Sequence, residues 1–212
     1  MKHWSTIKDF VFNPSVFFSY RLHENWTRSL FYLIGISLFV SLILALVSLL
    51  DGYLFEPHNP YLYSLTLSYL WFGLYNIVLT LAMACIAHFI ILAKKMDEIT
   101  KSIQVFCYAQ TPVLVAYFMV HICIYLLGFS QRIGFNEGSF FYLPLVWALL
   151  LLIGIIWMVY IINDGFKIFY NLHSSSYLIP LFILILTMSE IFKGFQIYNL
   201  IFFYLTSLIM GG

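Results

Sequence analysis

The stretch "SLFYLIGISLFVSLILALVSLL", residues 29–50, decides how this chain is read. It contains no charged residue, and at a helical rise of ~1.5 Å per residue it can cross a hydrocarbon core of about 30 Å. The whole composition agrees with it. Of 212 residues, 63% are hydrophobic, 20% aromatic and only 9% charged, with a mean hydropathy of +0.95. A water-soluble domain carries about 25% charged residues, because its surface must face water. Nine per cent is too few to coat a soluble globule of this size. The sequence therefore predicts an all-α, polytopic transmembrane helical bundle.

What precedes the first run is "FNPSVFFSYRLHENW", residues 12–26. Basic residues ahead of an apolar run resemble the start of a signal peptide. The run is too long for one, however, and "LLDGYLF" after it has no small-x-small cleavage pattern. The first span is expected to be an uncleaved anchor. Asn13 and Pro14 read as a helix start, a capping residue followed by proline at the first helical position. Residues 1–28 are thus expected to be a cytoplasmic tail with a short amphipathic helix over about 14–24 lying on the membrane. Phe17, Phe18 and Arg21 would make the surface contact, the arginine snorkelling to lipid phosphates; the alternative is that the same face docks on the bundle.

Beyond residue 50 the pattern repeats, giving one transmembrane domain over 29–209. Apolar runs follow at about 66–93, 103–127, 140–162 and 177–192, so five spans are expected in all. Pro144 is tolerable in a helix's first turn. The residues 195–209 are apolar but cut off by Glu190, Lys193 and Gly194. They are expected to lie in the interface or re-enter, with a short sixth span as the alternative. Lysine and arginine placement sets orientation. Lys2, Lys8, Arg21, Arg28, Lys94, Lys95, Lys101 and Lys167 fall on one side of this scheme, Arg132 and Lys193 on the other. The N-terminus is therefore expected in the cytoplasm.

A net charge of +1 offers no field for nucleic acid. Cys85, Cys107 and Cys123 lie in apolar runs without C-x-x-C spacing and read as packing residues. No catalytic motif, metal-ligand spacing or phosphate-cradling loop is present. The expectation is no enzyme, no metal and no cofactor.

Polar residues inside spans are the places to look for function, because lipid makes them costly. The second span carries Gly73, Asn76, Thr80, Ala84 and Ala87 at helical spacing, with His88 beside them. The third carries Gln110, Tyr117 and His121 along one face. Depth pairs Asn76 with His121 and His88 with Gln110, but helical phase allows at most one pair to form directly. Packing with interhelical hydrogen bonds is the plain reading. The other is a polar path using Asn76, Gln110, His121 and Glu190.

Three segments point to a family. They are "NPSVFFSYRLHENWTRSLFYLIGISLF" (13–39), "ACIAHFIILAKKMDEITKSIQVFCYAQTPVLVAYF" (84–118) and "WMVYIINDGFKIFYNLHSSSY" (157–177). In order and spacing the chain resembles the Yip1 domain family of integral membrane proteins over about 12–190, with Pro14, His88, Tyr108 and Pro112 as the matching positions. The glycine pair often found after the family's second span is replaced by Lys95-Met96-Asp97. The short tail is similar to the prokaryotic branch, so the resemblance does not carry over the Rab-type GTPase partnership of eukaryotic members. It implies a multi-pass protein of the cytoplasmic membrane that acts as a scaffold, adaptor or membrane-organising subunit. Its partners would be the lipid bilayer and other membrane proteins or a second copy. A small transporter or ion-conducting subunit is the alternative. Pro112 would either kink the third span at the carbonyl of Tyr108 or sit harmlessly in a first turn.

Overall fold

The computed structural model describes residues 8–55, 62–132, 143–172 and 177–186. Expectations for Glu190, Lys193 and 195–209 lie outside these residues. In chain order the helices are α1 (8–12), α2 (Pro14–Ser19), α3 (Trp26–Phe55) and α4 (Leu62–Ile86). After a π turn (Ala87–Ile91) and a 3-10 turn (Met96–Glu98) come α5 (Ile99–Ala109), α6 (Thr111–Arg132) and α7 (Leu143–Tyr170). The last described element is α8 (178–186).

Four stretches are long and apolar enough to cross a membrane: Trp26–Leu54, Thr66–Ile91, Met96–Cys123 and Ala148–Tyr170. Their faces are inverted relative to a water-soluble helix. On α3, Ser29, Ser37, Ser41 and Ser48 are buried, whereas Phe31 and Phe39 are 73% and 63% exposed. Water would drive such phenylalanines inward. Lipid tolerates them and instead penalises the hydroxyls. The protein is an all-helical, multi-pass membrane protein.

α3 packs against α4, α5 and α6, and α7 against α5 and α6. Gly73 permits the α3–α4 approach: a Cβ there would lie 2.5 Å from Ser41 Oγ and 3.2 Å from the Ser37 carbonyl. Gly165 does the same for α7, where a Cβ would meet both methyls of Val105 at 2.8 Å and the Phe18 ring at 3.0 Å.

Three expectations are corrected here. The surface helix over 14–24 ends as a helix at Ser19 and continues as turns. The Asn13 side chain makes no cap hydrogen bond; its carbonyl accepts from the amides of Val16 and Phe17 at 3.0 and 3.2 Å. The helix that carries the fourth span does not stop at 162 but runs to Tyr170, which brings Asp164 into it.

The third span is interrupted at Gln110, and Pro112 is the second residue of α6. Proline has no N–H for the carbonyl four residues back. The Thr111 hydroxyl donates to that Tyr108 carbonyl instead, at 2.8 Å. The proline is absorbed in a first turn, and a neighbouring side chain satisfies the carbonyl it leaves free.

Candidate functional site

The N-terminal segment is part of the bundle rather than a float upon it. α2 lies along α7, with Pro14 and Phe17 buried and Phe18 wholly so. Phe18 meets Phe169 edge to face at 5.9 Å, and Phe17 meets Tyr108 at 5.1 Å. The Ser15 hydroxyl donates to Asp164 Oδ2 at 2.7 Å. The expected surface role of Phe17, Phe18 and Arg21 is therefore not what this geometry contains. α2 has an apolar face whose ring partners lie in the bundle.

Arg21 sits at the centre of this contact. Its guanidinium lies 4.7 Å from the Phe17 ring centroid and 4.9 Å from that of Tyr108, within cation–π range. Its Nη1 donates to Glu24 and, at 2.6 Å, to the Tyr108 hydroxyl. That hydroxyl donates in turn to Glu24 Oε2 at 3.1 Å. Gln104 closes the group by donating to the Arg21 carbonyl at 3.1 Å. Tyr32 rests on the Tyr108 ring and shares a hydrogen bond with Thr111 at 2.8 Å. An arginine held by a carboxylate, a phenol and two rings is not free to snorkel.

His88 organises a second group. The π turn places it fully buried, and π turns recur at functional positions. Its Nε2 faces the Lys95 carbonyl at 2.7 Å. A carbonyl only accepts, so Nε2 carries a proton. Nδ1 lies 3.1 Å from the Ser102 hydroxyl and 3.0 Å from that of Tyr170. These hydroxyls are 2.7 Å apart, and Tyr170 gives its one proton to the Glu98 carbonyl at 3.0 Å. His88 thus joins the end of the second crossing to the 95–98 turn, α5 and α7.

The third group lies deeper. Asn76 Nδ2 donates to Ser37 Oγ at 2.9 Å, and Gln110 Nε2 donates to Asn76 Oδ1 at 2.7 Å. Neither pair suggested by depth forms: the structure joins Asn76 to Gln110, crossing the two expected pairs. The reason is depth: the third crossing begins at Met96 rather than about 103, which sets Gln110 level with Asn76 on the antiparallel neighbour. His121 turns to its own helix, donating from Nδ1 to the Tyr117 carbonyl at 2.9 Å, with Tyr69 edge-on at 5.6 Å. Among the described residues, three buried side-chain polar atoms have no partner: Ser41 Oγ, Ser48 Oγ and Gln110 Oε1.

Glu24, Ser102, Gln104, Asp164 and Tyr170 belong to these groups and escape sequence reasoning. Only the i, i+3 spacing of Arg21 with Glu24 and of Asp164 with Lys167 hinted at them. The partners that matter lie 68 to 149 residues away. Among the described residues no cluster of three His, Cys, Asp or Glu could hold a metal ion, and the cysteines are free.

The fold and these groups define a class: a multi-pass helical membrane protein whose N-terminal segment is locked onto its own bundle. Within that class the chain belongs to the Yip1 domain family, whose sequence model matches residues 8–192. No curated protein and no solved structure matches it. The matched range takes in Pro14, His88, Tyr108 and Pro112. His88 and Tyr108 lie at the hearts of two hydrogen-bonded groups, while Pro14 and Pro112 each stand at the start of a helix.

Proposed function

We propose that the protein is a non-enzymatic scaffold or adaptor that recruits or organises other membrane components. It would have five crossings, an N-terminus in the cytoplasm and a place in the cytoplasmic membrane of a prokaryote. The observation that supports this is that its half-buried charged groups and buried polar and aromatic groups close upon one another. Arg21, Glu24 and Tyr108 form a mutual triangle, and His88 meets Ser102, Tyr170 and the Lys95 carbonyl. Groups so occupied brace a shape rather than wait for a substrate.

The test is purification of the full tagged chain in gentle detergent after crosslinking in its own membrane. One stoichiometric protein partner, or a second copy, is expected. Recovery of lipid alone would overturn the reading.

One observation favours the transport alternative: the unpartnered Ser41, Ser48 and Gln110 atoms. Polar atoms left bare in a membrane interior are costly, and water in the seam would relieve them. In an otherwise cysteine-free chain, Ser41→Cys and Ser48→Cys would report on this against lipid-facing Leu42→Cys. A scaffold predicts that a small water-borne thiol reagent modifies none of them. Labelling of the two seam positions alone would favour a polar path.

A further inference from the structure

The turn between the second and third crossings carries charge that none of the groups above absorbs. Lys94, Lys95 and Lys101 fall within eight residues of one another. Lys101 is held by Glu98 at 2.7 Å. Lys94 and Lys95 have no ion pair among the described residues, and Asp97 is the remaining acid of the turn. The Nζ atoms of Lys94 and Lys101 lie 5.7 and 5.5 Å from the centroid of the Tyr170 ring. Two ammonium groups therefore gather at an aromatic ring that His88 and Ser102 already hold in place.

The lysines have apolar, exposed neighbours on both sides. Phe89 and Ile90, at the end of the second crossing, are 43% and 74% exposed, and Met96 in the turn is 69% exposed. The backbone holds this arrangement: Ala93 adopts a left-handed conformation with φ 49°, which lets the Lys94 amide reach the His88 carbonyl at 3.1 Å. His88 also fixes the Lys95 carbonyl. Cations at the end of a crossing, beside exposed apolar side chains, match a lipid with a negative headgroup and acyl chains alongside.

We infer that the Phe89–Lys101 turn is a binding site for an anionic phospholipid. Its phosphate lies at Lys94 and Lys95, its chains run along Phe89 and Ile90, and Met96 enters the leaflet. His88 is a positioning residue for this site. The site takes over the lipid-contact role that sequence assigns to Arg21, whose Nη1 is held by Glu24 and Tyr108. It does not depend on whether the protein recruits partners.

The test uses the full chain reconstituted in vesicles of phosphatidylcholine and phosphatidylglycerol, extracted gently, with retained lipids counted by native mass spectrometry. The wild type is expected to retain phosphatidylglycerol above its share in the vesicle. K94Q/K95Q should lower that enrichment by about tenfold or more, since both lysines attract an anionic headgroup. R28Q, at an exposed arginine on the N-terminal side, should leave it unchanged. Equal enrichment in K94Q/K95Q and wild type, or an equal fall in R28Q, overturns the assignment. So does displacement of the lipid by excess inorganic phosphate. Unchanged melting temperatures of both variants confirm that the lysines act on lipid rather than on folding.

Discussion

The N-terminal clasp and the Asn76 seam solve the same problem in opposite ways. Both gather polar groups among apolar neighbours, half-buried in the clasp and buried in the seam. In the clasp, Arg21, Glu24, Tyr108 and Gln104 bond to one another and to backbone, and aromatic rings cover the charge. In the seam, small residues let helices approach, Asn76 bridges two of them, and three polar atoms remain bare. A charge cannot be left bare in such surroundings, whereas a lone hydroxyl or amide oxygen costs only about 1–3 kcal/mol. The difference teaches that the clasp must be complete to exist, while the seam can carry small defects.

The strongest way to break this comparison is Phe18→Ala. The side chain is fully buried between α5 and α7, so the loss should be about 3–5 kcal/mol, read as a fall in the unfolding midpoint in detergent. A phenylalanine facing lipid would give almost none. Gly165→Ala follows. Its new methyl would press on Val105, a branched side chain with little freedom, and on Phe18, costing about 1–3 kcal/mol. The same midpoint measurement checks it, and an unchanged value would show the α2–α5–α7 junction to be loose.

The seam offers smaller effects with an informative sign. Asn76→Ala removes the bridge between Ser37 and Gln110 and should cost about 1–2 kcal/mol. Ser41→Ala removes a hydroxyl that has no partner, so a dry seam predicts a midpoint unchanged or slightly higher. A clear drop would place a hydrogen-bonding water at Ser41.

The seam was largely legible in the sequence because it is written in one helix's periodicity. Gly73, Asn76 and Thr80 recur on one face, and their burial follows from spacing alone. Which partner Asn76 takes was not legible, since it turns on where the third crossing begins, at Met96, several residues before the apolar run. The clasp was legible only in outline. Pro14 and Tyr108 stood out as family positions, yet nothing local says that Tyr108 receives Arg21 from 87 residues away. Phe17, Phe18 and Arg21 look alike whether a helix faces lipid or protein, because both surroundings accept an apolar face. Only the tertiary partners decide. Asp164 was hidden for a related reason: "NDG" reads as a chain break, but the helix continues because Gly165 fits against Val105 and the Ser15 hydroxyl satisfies the carboxylate.

The claim that the N-terminal segment is locked onto the bundle by Arg21 is tested most directly by a double-mutant cycle. Arg21→Gln, Tyr108→Phe and the pair together would be compared by their unfolding free energies in one detergent. A direct bond between the two side chains, 2.6 Å long, predicts a coupling of about 1 kcal/mol or more. Losses that simply add would mean that Arg21 serves the membrane surface and not the clasp.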